Sequence, residues 1–331
     1  MKWTLYPINE FFGYQEQWDS LNQTLSESPL LHTDFVIPLL ECFATGNELL
    51  AIYGDTRNPK AMAILCKAKI GAWRTFQPSQ APVGAWLQGP EDSTEFLLKT
   101  LHASLPGISV NLSITQQDPL ILPRPQHSEN LTTLDYIDSA KVSVTGSFEE
   151  YWSKRGKNLR QNLRRQRNKL ERENIAPRLE TVSEPENITK AVRAYGNLES
   201  AGWKRKTNTA VDIDNTQGTF YASMIRNFCE RGQGLVFQYY YDDSLVATDL
   251  CIQGGGSLVI LKTTYDEKIK TSSPAMLMRQ EAFKYIFDQT PIQHIEFYGK
   301  VMDWHVKWSS EIRTLFHINY WSGMARALLR K

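Results

Sequence analysis

The chain has 331 residues, with 37 basic and 36 acidic side chains, six His and four Cys. This length suits one large domain or two ordinary ones, and the 41% hydrophobic content excludes wholesale disorder. No apolar run approaches the ~20 residues that span a bilayer, and the first residues lack the pattern of a signal peptide. The cysteines show no CxxC spacing and the histidines no metal-ligand spacing, so we expect a reduced, cytoplasmic protein without a metal centre.

The near-neutral total hides a charge asymmetry between the two halves of the chain. Residues 1–150 carry 9 basic and 17 acidic side chains, a balance of −8, whereas residues 151–331 carry 28 and 19, a balance of +9. The second half is therefore expected to meet an anionic ligand. Two domains that attract each other are the alternative interpretation.

Hydrophobic periodicity predicts the same unit twice, in the order helix, helix, strand, turn, strand. The first copy comprises helices over 11–25 and 34–44 and strands over 48–53 and 61–68. The second comprises helices over 186–200 and 219–231 and strands over 235–241 and 245–253, with Gly254–Gly256 as a hairpin turn before a further strand.

The second copy then continues through five more elements. They are a strand over 257–265, a helix over 275–288, a strand over 294–298, an amphipathic stretch over 303–309 and a strand over 314–321, with a final helix over 324–330. This order is that of the GNAT acyltransferase fold, in which two central strands splay apart. We therefore predict an α/β (α+β) fold of two tandem GNAT-like units with splayed mixed sheets.

The densest charge run is 154–172, where nine residues are basic and three leucines form an apolar stripe. Arg160, Arg164 and Arg167 share one helical face, which suits the phosphates of a nucleotide donor, an RNA or an acidic glycan. A solvated linker helix is the alternative.

Three further clusters bear groups that suit chemistry. Trp203 precedes Lys204 and Arg205, which suits an anion with an aromatic contact. Lys262 and Asp266 are predicted on one face of a strand that leads into the helix start at Ser273, where free N–H groups favour an anion. The third cluster places an i, i+4 pair, Asp303 and Lys307, after the strand that ends at Tyr298, and Asp249 is a carboxylate among apolar neighbours.

Four blocks in this order resemble the CelD-like acetyltransferases, a GNAT branch related to the Fem-type aminoacyl transferases. They are the basic helix, GWKRKTNTA at 202–210, LKTTYDEKIKTSSPAMLM at 261–278 and FYGKVMDWHVKW at 297–308. The resemblance covers roughly residues 145–310 and implies acyl transfer from a thioester donor in envelope or exopolysaccharide assembly. The chain departs from the GNAT pattern at 271–274, because Thr-Ser-Ser-Pro replaces the glycine-rich pyrophosphate loop and Pro274 has no N–H to donate.

These observations predict two domains, a scaffold and acceptor-side unit over 1–145 and a catalytic unit over 146–331. The expected reaction is transfer from acyl-CoA, or from an acyl carrier protein, to an amine or hydroxyl of a small molecule or glycan, with a backbone N–H near 261–263 stabilising the oxyanion. The predicted catalytic residues are Lys262, Tyr265, Asp266 and Asp303. The predicted donor-binding residues are Arg164, Lys204, Arg205, Thr263, Ser272, Ser273 and Pro274. The predicted acceptor-binding residues are Trp203, Asp249, Tyr298, Lys307 and Trp308.

Two other functions stay open at this point. The basic helix suits aminoacyl-tRNA, which would make the protein a Fem-type aminoacyl transferase. The weak pyrophosphate loop also allows a non-catalytic module that binds an anionic polymer.

Overall fold

The structure, a computed structural model, describes residues 1–201 and 211–323. The chain forms two compact units. Unit 1 comprises Met1–Ser139 and the chain from Arg313 onward, and unit 2 comprises Ala140–Ile312. The sequence alone predicts a boundary after residue 145, with every later residue in the second unit. The predicted last strand instead lies with unit 1.

In unit 1, the strands form a mixed sheet, and two helices connect its first strand to its second. The strands, in the order β1-β2-β3-β4-β6, are β1 Trp3–Pro7, β2 Leu49–Asp55, β3 Asn58–Lys69, β4 Ala72–Thr75 and β6 Asn111–Gln117, with β5 Trp86–Gln88 paired to β3. The α-helices are α1 Gln15–Leu25, α2 Thr33–Phe43 and α3 Thr94–Ser104, and short 3-10 turns cover Ile8–Gly13 and Pro29–Leu31. The long strand β7, Leu131–Ser143, leads from unit 1 into unit 2.

In unit 2, parallel and antiparallel strands pair side by side, and helices cover both faces. Its strands, in the order β12-β11-β10-β9-β8, are β8 Pro177–Val182, β9 Gly234–Tyr241, β10 Ser244–Gly254, β11 Ser257–Tyr265 and β12 His294–Glu296. Its helices are α4 Phe148–Ser153, α5 Lys157–Arg172, α6 Pro185–Ser200, α7 Thr216–Glu230, α8 Pro274–Gln289 and α9 His305–Trp308. The strand β13, Glu311–Trp321, begins in unit 2 and continues into unit 1.

Alternation along the strands divides the core of unit 2 between the two faces of its sheet. Phe237 and Tyr239 of β9 join a buried cluster with α4, α5 and α8, while the intervening strand residues face α6 and α7. In α5 the buried residues Leu159, Leu163 and Leu170 form one stripe, as the sequence predicts, and the cations lie on the rest of the helix.

The structure confirms the GNAT-type α/β fold and the repeated helix, helix, strand, turn, strand order. Three predicted elements are shorter than expected. The strand predicted over 294–298 ends at Glu296. The helix predicted over 11–25 begins at Gln15 after a 3-10 turn, and the stretch predicted over 303–309 is helical only from His305 to Trp308. The predicted helix over 324–330 and the block at 202–210 lie outside the described residues.

Candidate active site

The central feature of unit 2 is a gap between two parallel strands. β11 pairs with β12 only from Ser257↔His294 to Val259↔Glu296. β12 ends at Glu296, whereas β11 runs on to Tyr265. The second half of β11 therefore has no partner in β12, which is the splayed arrangement predicted from the order of elements.

A β-bulge lies where the gap opens. The register with β10 shifts from Cys251↔Ile260 to Leu250↔Lys262, so Leu261 has no opposite residue in β10. A bulge re-aims the local backbone and leaves the extra residue outside the ladder. The bulge falls inside the segment 261–263, where the sequence predicts the oxyanion donor.

The two predicted residues after the bulge serve opposite faces of the sheet. Lys262 faces α7, with its Nζ 5.8 Å from the ring centroid of Tyr221. Thr263 faces α8, and its hydroxyl donates to Asp249 Oδ1 at 2.6 Å. Of these two predicted site residues, the half-buried Lys262 therefore lies on the α6 and α7 side of the sheet, and Thr263 lies on the α8 side.

Asp266 occupies a turn rather than the face predicted for it. The strand ends at Tyr265, so the even-spacing argument that joins Asp266 to Lys262 does not reach it. Its Oδ1 accepts a hydrogen bond of 2.9 Å from the N–H of Lys268, which is the local turn role common for Asp. Tyr265 is 43% exposed at the strand end, so its phenol is accessible.

Asp249 belongs to a buried ion pair, which is why it offers no surface to an acceptor. It is fully buried, and Arg279 Nη1 of α8 lies 2.8 Å from its Oδ2. Burial raises the pKa of Asp249, while Arg279 and the Thr263 hydroxyl act in the opposite direction. The Arg279 guanidinium also lies 5.4 Å from the ring of Phe297 and 5.6 Å from that of Trp304. The pair thus joins β10 and α8 to the segment that follows β12.

That segment holds the downstream predicted residues in different environments. Tyr298 is half-buried two residues after the end of β12, and Asp303 and Lys307 are exposed. Because α9 begins only at His305, Asp303 precedes the helix and the predicted i, i+4 ion pair with Lys307 does not form among the described residues. Trp308 is fully buried and stacks on Trp152 at 5.8 Å, so its predicted acceptor contact is replaced by packing.

His305 is a buried histidine in this segment, and the sequence-based prediction assigns it no role. Its Nδ1 accepts the N–H of Met302 at 2.9 Å, and its ring stacks on Trp304 at 3.5 Å. Burial and the Arg279 charge lower the pKa of His305 to about 4, so the imidazole is neutral near pH 7.

Glu296 is a second residue that sequence reasoning missed. It is 4% exposed at the last position of β12. Ile295 packs in the α8-side cluster, and alternation therefore places Glu296 on the α6 and α7 side, the side of Lys262. An acidic residue inside the apolar run Ile295–Phe297 is the signal that would have found it.

The start of α8 is capped by residues of unit 2. The N–H of Ser273 donates to Gln166 Oε1 of α5 at 2.7 Å, and the Ser272 hydroxyl is 2.8 Å from that of Tyr241. The N–H of Met276 already bonds to the carbonyl of Ser273 at 3.0 Å. Pro274 has no N–H. Most of the polar groups that were predicted to bind an anion here therefore already bond to other residues of unit 2.

A cationic cavity lies along α5 and reaches α8 at Gln280. It has a volume of about 520 Å³ and includes the predicted donor residue Arg164. We call it the α5 cavity, and its lining is Trp152, Lys157, Arg160, Gln161, Arg164, Arg167 and Gln280. The other predicted phosphate and aromatic contacts, Trp203, Lys204 and Arg205, lie outside the described residues.

Unit 1 has a corresponding pair of parallel strands, but its gap is filled. β4 and β6 pair only over Ala72–Arg74 and Asn111–Ser113. Past this point the N–H of Gly84 donates to the Thr115 carbonyl of β6 at 3.1 Å, and the buried Gln117 donates its Nε2 to the Gly84 carbonyl at 3.2 Å. A Cβ at Gly84 would lie 2.4 Å from the hydroxyl of Thr75, which leaves no room there for a ligand.

These features define a GNAT-type acyltransferase fold, and comparison with known proteins agrees. Residues 157–305 match the family model described as acetyltransferase (GNAT) domain, a range that contains the splayed strands and most of the predicted site. No helix in the described ranges has the length and hydropathy that a bilayer crossing requires. Within those ranges no group of three His, Cys, Asp or Glu side chains is arranged to hold a metal ion.

Solved structures resemble the whole chain in fold. The crystal structure of FemX matches with a TM-score of 0.61 and 10% identity, covering 99% of each chain. The C-terminal domain of a protein assigned as a lysylphosphatidylglycerol synthetase from Agrobacterium fabrum matches with a TM-score of 0.58 and 12% identity, covering 96% of this chain and 95% of that one. A conserved protein of unknown function from Bacteroides thetaiotaomicron matches with a TM-score of 0.56 and 12% identity, covering 93% and 97%. Comparison with curated protein sequences found no match.

Proposed function

We propose that unit 2 transfers an acyl group directly from a thioester donor, acyl-CoA, to an amine or hydroxyl acceptor. The observation that carries this proposal is the gap between β11 and β12 with a bulge at Leu261. The gap gives an extended donor arm a path between two strands. The bulge frees a backbone segment at the point where a thioester carbonyl would lie. The filled gap of unit 1 supports a scaffold role for that unit.

The reaction needs one group to accept a proton and another to supply one. The acceptor nitrogen or oxygen attacks the thioester carbonyl, and the backbone N–H near Leu261 stabilises the developing oxyanion. The C–S bond then breaks, and the thiolate leaves and is protonated. The accessible phenol of Tyr265 is our candidate for that proton, and Lys262 is our candidate for stabilising negative charge on the acceptor side.

Three carboxylates compete for the role of general base. Asp266 and Asp303 are the predicted ones, and both lie near the ends of the strands that border the gap. Glu296 has the stronger structural support, because it is buried at the end of β12 and shares a face with Lys262. From this position the carboxylate would take the acceptor's proton directly or through a water molecule.

The test is release of free CoA thiol from acetyl-CoA in the presence of a panel of amine, hydroxyl and glycan acceptors. Removing a general base lowers kcat about 10²–10⁴-fold, so Glu296→Gln, Asp266→Asn and Asp303→Asn identify which carboxylate acts. Asp243→Asn is the matched control, since Asp243 is an exposed carboxylate in the β9–β10 turn. Wild-type turnover in all three variants would refute the base assignment. Failure of every acyl-CoA to bind in native mass spectrometry would refute the donor.

One observation favours a second candidate function, transfer from aminoacyl-tRNA. The α5 helix presents a row of cations, and the start of α8 is capped, so a polyanionic donor would find its charge contacts on α5. RNA affinity that falls steeply with salt would support this donor. Absence of RNA binding at low salt would exclude it. An acyl carrier protein as donor, a glycan acceptor in envelope assembly and a cytoplasmic location stay predictions. A non-catalytic module would bind its polymer without any thiol release.

A further inference from the structure

Groups that could bind an anion are found at two places in unit 2, the start of α8 and the α5 cavity. Fewer of them are free at the start of α8. At the helix start, Gln166 accepts the N–H of Ser273 and Tyr241 bonds to Ser272, so part of the polar surface is already paired. A diphosphate there would meet fewer free N–H donors than an uncapped helix end offers. The charge of a nucleotide-bearing donor therefore needs other partners.

The α5 cavity supplies them from the same helix that caps α8. Lys157, Arg160, Arg164 and Arg167 follow one another at three- and four-residue intervals, which places their charges along one side of α5. None of the described residues that line the cavity is acidic. Lys157, Arg160 and Arg164 are exposed. Arg160 donates its Nε to the Arg155 carbonyl at 3.1 Å, which leaves its two Nη groups for a ligand.

One of the four cations is fixed in place. Arg167 bonds to Glu281 of α8 through Nη1 at 2.6 Å and to Gln280 through Nε and Nη2 at 3.3 and 3.2 Å. These bonds anchor α5 on α8, and Gln280 lies six residues, or about 9 Å of helix, from the α8 start. A donor whose arm enters the gap near that start would therefore have to extend along α8 by about this length to reach the cavity.

The remaining lining suits a nucleotide rather than phosphate alone. Gln161 and Gln280 offer amides for hydrogen bonds to a base. Trp152 adds a partly exposed aromatic border, although its ring already stacks on Phe148 and Trp308. The volume of about 520 Å³ falls within the range of small-molecule pockets, roughly 300–1,000 Å³. A concave site of this size favours a compact nucleotide over a long RNA, whose charges are spread along an extended strand.

We propose that the α5 cavity binds the phosphorylated nucleotide part of the acyl-CoA donor, with Arg160 and Arg164 as its main phosphate contacts. This inference rests on the proposed function for the identity of the donor. It assigns the phosphate charge to side chains of α5 instead of the backbone at the start of α8.

Direct binding of 3′,5′-ADP, the nucleotide portion of CoA, tests the cavity without any reaction. Calorimetry on the full chain should show binding to the wild type and at least about tenfold weaker binding to Arg160→Gln/Arg164→Gln, because a charge-assisted hydrogen bond contributes about a factor of ten or more. Arg172→Gln/Lys169→Gln is the matched control, since it removes two charges from the same helix outside the cavity. It should keep wild-type affinity.

Kinetics with two donors separate the cavity from the reaction. Acetyl-pantetheine has the same thioester as acetyl-CoA but no nucleotide. The cavity variant should raise KM for acetyl-CoA about tenfold or more and leave kcat/KM for acetyl-pantetheine unchanged.

Each contrary outcome has a distinct meaning. Absence of 3′,5′-ADP binding to the wild type, or equal losses in the cavity and control variants, would overturn the cavity assignment even if acyl transfer occurs. RNA binding that depends on Arg160 and Arg164, without 3′,5′-ADP binding, would overturn it in favour of a polyanion. Binding of 3′,5′-ADP without transfer from any thioester would leave the cavity supported and the proposed function refuted.

Discussion

Replacing Arg279 by Met should destabilise unit 2 strongly. Asp249 is fully buried and Arg279 is 2% exposed, so the substitution leaves a carboxylate without its counter-charge inside the fold. Breaking a buried pair from one side costs about 3–5 kcal/mol, a large share of a total stability of about 5–15 kcal/mol. Thr263 loses its bond from Arg279 Nη2, at 3.0 Å, in the same step.

The reciprocal changes distinguish a charge effect from a packing effect. Asp249→Asn alone should also destabilise unit 2, because it leaves the Arg279 guanidinium buried between the Phe297 and Trp304 rings without a counter-charge. The double variant Asp249→Leu/Arg279→Met removes both charges and should recover most of the loss, since apolar replacement of a whole buried pair is close to neutral. A matched single variant in unit 1 is Arg313→Met, which breaks the pair between Arg313 and the buried Asp118.

Urea unfolding followed by far-ultraviolet circular dichroism gives the stabilities, and hydrogen exchange assigns the loss to a unit. Arg279→Met should lower protection in β10 and α8, while Arg313→Met should lower it in unit 1. A loss below about 1 kcal/mol for Arg279→Met would mean that the pair is solvated or dispensable. A double variant as unstable as the single would mean that packing of the guanidinium on the Phe297 and Trp304 rings dominates.

Three further outcomes are expected. Gly84→Val should destabilise unit 1 by about 1–3 kcal/mol, because its Cβ would lie 2.6 Å from the Thr115 carbonyl; unchanged urea unfolding would contradict the filled gap. Protein stability should fall as the pH drops from about 6.5 to about 4, by up to about 3 kcal/mol, because unfolded His305 takes up a proton that the folded side chain resists; His305→Gln should flatten this dependence in acid-titrated unfolding. Gly218→Ala should destabilise unit 2, since its Cβ would lie 1.9 Å from the Asp212 carbonyl, and a wild-type melting temperature would refute the contact.

The sequence predicts the fold of unit 2 well because its signals are local. β9, β10 and β11 are separated by a two-residue turn and a glycine hairpin, and apolar β-branched runs delimit each strand. The start of α8 follows from Ser273 and Pro274. β4, β5 and α3 of unit 1 are not among the predicted elements and are found only in the structure. For α3 the signals are present, since Ser93 caps its start and Pro106-Gly107 follows its end.

The predicted site residues divide according to whether burial can be read from sequence. Asp249 lies among apolar neighbours in the sequence, whereas Trp308 lies between Lys307 and Ser309, yet the structure shows that both are wholly buried. The positive charge of Arg279 compensates the buried carboxylate of Asp249. Arg279 lies 30 residues further along the chain, on a helix where the sequence does not distinguish a buried arginine from a surface one. Pairing of this kind depends on the packing of α8 over β10, which no local pattern encodes.

The same argument applies to the polar groups around the gap. A Ser-Ser-Pro helix start predicts an anion site from sequence, because nothing local reveals that Gln166 will reach it from a helix more than 100 residues earlier. Conversely, the sequence marks Glu296 only as an acid between two apolar residues, and the register is needed to show that β12 ends there and the gap begins. Local chemistry predicts which groups are reactive, whereas the tertiary structure decides which of them remain available.

The two units show how one fold keeps or loses a donor path by a small change in backbone. Both contain a short parallel pair that diverges, β4 with β6 and β11 with β12. In unit 1 the chain after β4 leaves the sheet and returns through Gly84, whose backbone bonds to β6 and closes the gap. In unit 2 the equivalent strand accommodates one extra residue, Leu261, within the ladder, so the strand continues and the gap stays open. The bulge lies in the ladder with β10, on the edge of β11 opposite the gap, so it bends the strand rather than blocking its free edge. What distinguishes the two units at the gap is therefore the Gly84 segment, which pairs with β6 in unit 1.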